Sequence, residues 1–303
     1  MRLLVAYDGS EFADAALGDL QSAGLPKNTE ARVLTVADVF DPPPLPPDAT
    51  PEFSQIRQHG VARVEEAIEE AQAICERAAK RLRSEFPQWS VTTEVVADSP
   101  GWAIIKHAEG LGEDRGRADL IAMGAAGRTA VGRTLFGSVA LKVLTNARCS
   151  VRIGRIRAHR DPSNALRLIV GVDGSSDASA ALRAIGSRSW PKGTECRVVT
   201  VIDLQLLATF PGMGTGAIAA PHAPAQFIAD QAAEQLRKAG LVCTAVIREG
   251  AVAHSIALEA DEFKADCIFV GARGLRRLER FLLGSVSSAV AMRSHCSVEL
   301  VHV

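Results

Sequence analysis

A glycine pattern that could bind phosphate occurs twice in this chain. Gly124 and Gly127 are followed, after nine intervening residues, by Gly137 and Ser138. The same spacing recurs later in the chain in a second set: Gly271, Gly274, Gly284 and Ser285. Because glycine has no side chain, a phosphate can approach its backbone N–H groups closely. Two identically spaced sets therefore predict two phosphate-binding loops.

An aspartate near the start of each half is the second candidate binding group. Asp8 and Asp173 each follow a short apolar run and precede Gly-Ser. In an open parallel sheet, ligands bind beyond the carboxyl ends of the strands, where the strand order reverses. If the first and fourth strands are neighbours, each carboxylate faces a glycine loop. It could then accept hydrogen bonds from a ribose or a base, while the loop N–H groups and the Ser138 or Ser285 hydroxyl hold phosphates.

Each feature also has a purely structural explanation. Asp-Gly-Ser after a strand is typical of a turn in which Ser10 or Ser175 caps the next helix. The glycines could form only a tight connection between strand and helix. The coincidence of both features in both halves favours the ligand-binding interpretation.

Both motifs belong to a duplication of the whole chain. Residues 1–40 align without a gap on residues 166–205. The offset is 165 there and 147 at the glycine motifs, so the first copy carries 18 more residues between them. The repeat predicts one domain over residues 1–156, a linker over 157–165 and a second domain over 166–303. Both domains are close to the usual size of ~150 residues.

Short apolar runs alternate with helical patterns in both copies, which predicts βαβ units on a parallel sheet. We expect five strands per copy. The clearest runs are residues 3–7, 33–37, 120–123 and 151–156 in the first copy, and 168–172, 198–202, 242–247, 267–270 and 298–303 in the second. The clearest helix covers residues 61–86, where an apolar stripe at three- and four-residue steps would pack on the sheet.

The composition limits the classes of partner and chemistry. Lys and Arg number 34 against 35 Asp and Glu, so no excess charge favours nucleic acid or a membrane surface. The Walker pattern of P-loop NTPases is absent.

His107 and His254 do not align, and we interpret both as structural. The six cysteines lack zinc-ligand spacing and are interpreted as small buried hydrophobes. The opening apolar run is too short for a signal sequence, so a cytoplasmic location is expected.

Taken together, these motifs make the chain resemble the universal stress protein family in its tandem form, over essentially its whole length. The resemblance rests on Asp-Gly-Ser after strand one, Thr-Val-x-Asp at the end of strand two, and the glycine-serine signature followed by Val139 or Val286. It implies two α/β domains of the adenine-nucleotide alpha-hydrolase type. Each would be a doubly wound, five-stranded parallel sheet in the order 3-2-1-4-5, with helices on both faces.

The resemblance further implies an ATP-binding regulator of the stress response, not an enzyme, with at most slow hydrolysis. ATP, with ADP or AMP as alternatives, would carry Mg²⁺ on its phosphates, and no protein metal site is expected. The implied nucleotide-binding residues of the first copy are Asp8, Val36, Met123, Gly124, Gly127, Gly137, Ser138 and Val139. Those of the second copy are Asp173, Val201, Val270, Gly271, Arg273, Gly274, Gly284, Ser285 and Val286. Two other functions stay open: a slow ATPase or nucleotidyl-transfer enzyme that uses the same pocket, and a scaffold that binds no nucleotide.

The two copies differ at the third residue of the glycine loop, which is often basic in the family. It is Arg273 in the second copy and Ala126 in the first, so we expect the second pocket to bind ATP more tightly. Arg276 and Arg277 could clamp phosphates or crowd that pocket. The fifth strands offer edges that the family usually pairs between subunits. We therefore expect a pseudo-dimer within one chain, with a further homodimer as an alternative.

Overall fold

The computed structural model describes residues 1–46, 50–110, 116–127, 136–155, 164–203, 222–274 and 284–303. Their contacts divide the chain into two compact units. The first unit comprises Met1–Leu17 and Lys27–Val143, and the second comprises Gly18–Pro26 and Leu144–Val303.

The first unit contains a parallel sheet in the order β3-β2-β1-β4. Its strands are β1 (Arg2–Ala6), β2 (Glu30–Ala37), β3 (Ser90–Ala97) and β4 (Leu120–Gly124). The helices that begin in this unit are α1 (Glu11–Asp19), α2 (Pro51–Glu85), α3 (Pro100–Ala108) and α4 (Ser138–Asn146). A short 3-10 helix, Leu20–Ser22, follows α1.

The second unit contains a sheet in the order β5-β10-β9-β6-β7-β8. Strands β5 and β10 pair antiparallel, and the other described neighbours pair parallel. Its strands are β5 (Ser150–Gly154), β6 (Arg167–Gly171), β7 (Glu195–Ile202), β8 (Val242–Glu249), β9 (Cys267–Gly271) and β10 (Ser297–Val301). Its helices are α5 (Ser176–Gly186), α6 (His222–Lys238), α7 (Val252–Phe263) and α8 (Ser285–Arg293).

The predicted α/β class, with a mostly parallel sheet and helices on both faces, is confirmed. The strands of the second copy follow the order 3-2-1-4-5, and the first four strands of the first copy follow 3-2-1-4. The fifth strand of the first copy, β5, lies in the second unit and pairs there with β10. The carboxyl ends of β1 and β4 are therefore adjacent, as are those of β6 and β9.

Two elements differ from the pattern-based expectation. Strand β3 has no continuous apolar run because it lies at a sheet edge, where none of its side chains is fully buried. Helix α2 begins at Pro51, ten residues before the predicted start at 61. Residues 51–60 are mostly exposed, so no apolar stripe marks them. The predicted stripe is buried at most of its positions between Val64 and Leu82, and Val61 and Ile68 are partly buried. Proline suits the first helical turn because its missing N–H needs no partner there.

Among the residues that the structure describes, no helix is both long and apolar enough to cross a lipid bilayer.

Candidate functional site

The Asp-Gly-Ser turn after β1 caps a helix and orients a carboxylate at the same time. Asp8 Oδ1 accepts hydrogen bonds from the Ser10 backbone N at 3.0 Å and from Ser10 Oγ at 2.6 Å. Ser10 Oγ in turn accepts a bond from the Ala13 N at 3.1 Å, which caps α1. Gly9, at a φ of +78°, makes the turn possible. The structural and the ligand-binding interpretations of this motif are therefore compatible.

The other oxygen of Asp8 faces the first glycine loop, residues 124–127. A Cβ placed on Gly127 would lie 2.7 Å from Asp8 Oδ2, which is closer than van der Waals contact allows. Glycine at this position lets the loop backbone lie directly against the carboxylate. The adjacency of β1 and β4 thus produces the facing arrangement that the sequence predicted.

The second half of the glycine signature closes the loop onto the start of α4. The Gly137 N donates to the Ala125 carbonyl at 2.8 Å, and a Cβ on Gly137 would lie 3.0 Å from Ala126 Cα. Ser138 begins α4, whose first N–H groups have no partner within the helix. A helix start with free N–H groups and a positive dipole end attracts phosphate.

A cavity of about 400 Å³ lies between these elements at the carboxyl ends of the strands. This volume falls within the ~300–1,000 Å³ range of small-molecule sites. The structure places all the nucleotide-binding residues predicted for the first copy along its wall: Asp8, Val36, Met123, Gly124, Gly127, Gly137, Ser138 and Val139.

Other residues of the cavity wall were missed by sequence reasoning. Glu70 and Ile74 come from α2, while Pro100 and Ile104 come from α3. No sequence signal marks them, because the part of α2 that reaches the cavity depends on how the helix crosses the sheet. Three carboxylates line the cavity, those of Asp8, Asp38 and Glu70, and no basic side chain is found among its described lining residues.

A buried hydroxyl group also lines the cavity. Thr35 is 3% exposed, and apart from the Cys75 thiol beside it, its hydroxyl has no hydrogen-bond partner among the residues that the structure describes. The equivalent Thr200 Oγ1 in the second copy is also buried and makes no hydrogen bond within the described part of the chain. A hydroxyl that donates to a thiol keeps its oxygen lone pairs, so Thr35 Oγ1 can still accept a hydrogen bond from a ligand.

A larger, more open hollow of about 670 Å³ lies near the amino ends of β1, β2 and β3. It is lined by residues such as Arg2, Glu30 and Ser90 and by none of the glycine-loop residues. Ligands of parallel α/β sheets bind at the opposite, carboxyl ends of the strands, so the smaller cavity is the stronger candidate.

The second copy repeats the turn after its first strand. Asp173 Oδ1 accepts from the Ser175 N at 2.9 Å, and Ser175 Oγ accepts from the Ala178 N at 3.1 Å to cap α5. A Cβ on Gly274 would lie 3.0 Å from Asp173 Oδ2, as at Gly127 in the first copy.

The other predicted residues of the second copy occupy equivalent places. The Gly284 N donates to the Ala272 carbonyl at 2.9 Å, so this loop closes as the first one does. Val201 lies in β7, Val270 and Gly271 end β9, and Ser285 and Val286 begin α8. Arg276 and Arg277 lie outside the described residues.

Arg273, the predicted phosphate contact, is held by a buried carboxylate in this structure. Its backbone N and its Nε both donate to Asp177 Oδ2, each at 3.1 Å, and Asp177 is 1% exposed. The first copy has Phe12 where the second has Asp177, and Ala126 where it has Arg273. The two residues by which the second copy differs here, Asp177 and Arg273, therefore form an ion pair with each other.

The histidine and cysteine interpretations agree with the structure where it tests them. His107 Nδ1 lies 2.7 Å from Glu94 Oε1, and Arg32 Nη1 lies 3.2 Å from Glu94 Oε2, within the first unit and away from the cavity wall. All six cysteines are buried, and none of them forms a disulfide. The described part of the chain contains no group of three or more His, Cys, Asp or Glu that could hold a metal ion.

Comparison with known proteins matches both halves of the chain to one family. The model of the universal stress protein family matches residues 1–155 and again residues 165–302. The chain is 26% identical over 292 residues to universal stress protein Rv2005c of Mycobacterium tuberculosis, a match that covers 95% of this chain and 92% of that protein. It is 37% identical over 78 residues to universal stress protein MJ0531 of Methanocaldococcus jannaschii, covering 25% of this chain and 43% of the relative.

A solved structure shows the same fold. A universal stress protein from Archaeoglobus fulgidus superposes with a TM-score of 0.65 at 23% identity, covering 99% of this chain and 98% of that one. At this level of identity the likeness concerns the fold alone.

Proposed function

Because the chain belongs to the universal stress protein family in its tandem form, we propose that it is a nucleotide-dependent regulator of the stress response that binds ATP. The observation that carries this proposal is the cavity in which Asp8 faces Gly127 beside the start of α4. A carboxylate, a glycine cradle and free helix N–H groups are the parts that a nucleoside phosphate requires.

The residues of the first cavity fit the parts of ATP. The Asp8 carboxylate can accept hydrogen bonds from ribose hydroxyls, and the Thr35 hydroxyl can bond a polar atom of the base or the sugar. Val36, Met123 and Ile104 provide apolar surface for a base. Gly127, Gly137 and Ser138 present the loop and the helix start to phosphates.

Mg²⁺ would supply the positive charge that the described lining residues of this cavity lack. It binds phosphates together with one or two carboxylates and retains several waters. Besides Asp8, the cavity wall carries two carboxylates that could bind Mg²⁺, those of Asp38 and Glu70. We therefore propose ATP with Mg²⁺ as the bound species, with ADP and AMP as weaker alternatives.

The proposed role is regulation, with hydrolysis slow at most. Asp8 is bound through Oδ1 to Ser10, and the described cavity wall presents no nucleophile and histidine pair of the kind that activates a reacting group. Bound ATP would instead select the conformation or the partner of the protein. We further propose that the protein acts in the cytoplasm, with no nucleic acid or membrane as its partner.

Isothermal titration of the nucleotide-free protein with ATP and Mg²⁺, together with mass spectrometry of the small molecules that co-purify, tests the proposal. We expect saturable ATP binding that Gly127→Asp and Gly274→Asp together abolish. Absence of binding by folded protein would support the scaffold alternative. Turnover well above background that Asp173→Ala abolishes would support the enzyme alternative.

A further inference from the structure

Four buried, charged side chains surround the pairing of β5 with β10 in the second unit. Arg152 Nη1 lies 3.1 Å from Glu299 Oε2, and each of these side chains is 1% exposed. Asp19 accepts from Arg152 Nε at 2.6 Å and from Arg152 Nη2 at 3.1 Å. Arg188 donates to both carboxylate oxygens of Glu299. The four charges balance, two positive and two negative, as buried charges must.

Arg152 and Glu299 occupy equivalent positions of the two sequence copies. The segment Cys-Ser-Val that precedes Arg152 recurs before Glu299 at the same offset of 147 that relates the glycine motifs. In the antiparallel pairing of β5 with β10, Arg152 lies directly opposite Glu299. An interface between two identical strands would place a residue opposite its own copy at this point.

The flanking pairs are apolar, so among the paired positions of the two fifth strands only this one differs in charge. Val298 lies opposite Ile153, and Val151 lies opposite Leu300. Under the 147-residue offset Val151 corresponds to Val298 and Ile153 to Leu300, so each pair joins the same two positions of the repeat. All four side chains are apolar. An apolar pair of this kind would be equally favourable between two copies of β5 or two copies of β10.

We propose that Arg152 and Glu299 determine partner choice, so that β5 pairs with β10 of its own chain and not with a fifth strand of a second copy. Pairing β5 with another β5 in this register would place two Arg152 side chains opposite each other, each with only its own Asp19 as counter-charge. Pairing β10 with another β10 would place two Glu299 side chains opposite each other, each with only its own Arg188. Both pairings lose the ion pair between Arg152 and Glu299. Like charges directly opposite each other in a sheet are unfavourable, and burial removes the water that would screen them. This inference does not depend on the proposed ATP function.

Chain exchange during refolding tests the proposal. Affinity-tagged and untagged copies of the full chain are unfolded, mixed, refolded and purified through the tag, and the co-purified untagged fraction is measured. We expect almost no untagged chain to co-purify when both copies have the natural sequence. The Arg152→Gln/Glu299→Gln variant presents the same amide in all three pairings, so we expect its co-purified fraction to rise at least about fivefold, a preference of ~1 kcal/mol.

Arg32→Gln/Glu94→Gln is the matched control, because it removes an ion pair of the first unit and leaves β5 and β10 unchanged. Its co-purified fraction should equal that of the natural chain even if its stability falls. If the Arg152→Gln/Glu299→Gln variant does not refold, Arg152→Leu/Glu299→Leu, which also removes both charges and resembles the apolar flanking pairs, should show the same rise. Exchange no greater than in the control, or equally high exchange by the natural chain, would overturn the proposal.

Discussion

Asp8 and Gly127 face each other across the first cavity so closely that a single added carbon at Gly127 would lie 2.7 Å from Asp8 Oδ2. The two residues are 119 positions apart in the sequence. The parallel pairing of β1 with β4 brings them together, since each strand ends at the same edge of the sheet. The second copy repeats the relationship between Asp173 and Gly274 at 3.0 Å.

Replacement of Gly127 should therefore abolish ATP binding in the first cavity. Gly127→Asp places a second carboxylate against Asp8 and in the path of the phosphates. We expect affinity there to fall by more than about tenfold, since ~1.4 kcal/mol is a factor of ten. Isothermal titration measures the loss, and Gly274→Asp makes the same change in the second copy. Gly186→Ala is the control because a Cβ there meets only ordinary contacts, the nearest at 3.6 Å. Unchanged affinity in both aspartate variants would contradict the site assignment.

Removal of the Ser10 hydroxyl should affect both stability and binding. Ser10→Ala loses the cap of α1 and the 2.6 Å bond that orients Asp8. The cap alone contributes about 1 kcal/mol. We expect a corresponding fall in the free energy of unfolding in urea and a weaker ATP affinity in the first cavity. Ser175→Ala removes the equivalent cap of α5 and should leave the first cavity unaffected. Full ATP affinity in the Ser10 variant would show that Asp8 needs no such support.

Arg273 should contribute little to phosphate binding while Asp177 holds it. A free arginine would add a charge-assisted bond of ~1.5 to 3 kcal/mol, or tenfold and more in affinity. Because Asp177 already accepts from the Arg273 N and Nε, we expect Arg273→Ala/Asp177→Phe, which restores the residues of the first copy, to change the second affinity by less than about threefold.

Asp177→Asn is the complementary variant, since it removes the charge that competes for Arg273. We expect it to raise the ATP affinity of the second copy by about tenfold. Titration of each variant on a Gly127→Asp background isolates that site. A large loss of ATP affinity in the Arg273→Ala/Asp177→Phe variant would contradict this prediction. It would support the direct contact between Arg273 and phosphate that the sequence suggested.

Removal of Mg²⁺ should weaken ATP binding in the first cavity. The described wall carries the carboxylates of Asp8, Asp38 and Glu70, whose negative charge repels the phosphates and would be offset by bound Mg²⁺. We expect EDTA to lower ATP affinity by at least about tenfold and to have a much smaller effect on adenosine, which has no phosphates. Glu70→Gln should reduce the Mg²⁺ dependence if this carboxylate contacts the ion. Equal ATP affinity with and without Mg²⁺ would contradict the prediction.

The buried Glu299 should make stability depend on pH in the acid range. Burial favours its neutral form, but Arg188 and Arg152 outweigh this effect and hold the Glu299 pKa below its usual value of 4.5. A lowered pKa in the folded state contributes stability above the unfolded pKa and loses it as the pH falls through the folded pKa. We expect the difference in free energy of unfolding between the natural chain and Glu299→Gln to be constant above about pH 5 and to shrink below it. Urea unfolding from pH 3 to 7 measures this difference, and a constant difference over the whole range would contradict the prediction.

The sequence determined the features that depend on spacing along the backbone. The duplication, the strand-helix alternation and the Asp-Gly-Ser and glycine motifs follow from local residue types, because turns and loops are selected by the few residues that form them. The motifs also predicted that Asp8 would face the first glycine loop, since neighbouring parallel strands end at one edge of the sheet. The family resemblance implied the full set of eight first-copy residues, which the structure places along one cavity wall. The start of α2 was not predictable, because its first ten residues do not pack on the sheet and so show no apolar period.

Only the tertiary structure decided which distant side chains meet. Arg273 appeared available to phosphate until α5 placed the buried Asp177 beside it. Glu70 carries no sequence signal, and only the crossing of α2 brings it to the cavity wall. Arg152 and Glu299 carry no motif, and their opposition arises from the antiparallel register of β5 and β10. Contacts of this kind join residues tens to hundreds of positions apart, so they are fixed by the packing of whole elements and not by any local pattern.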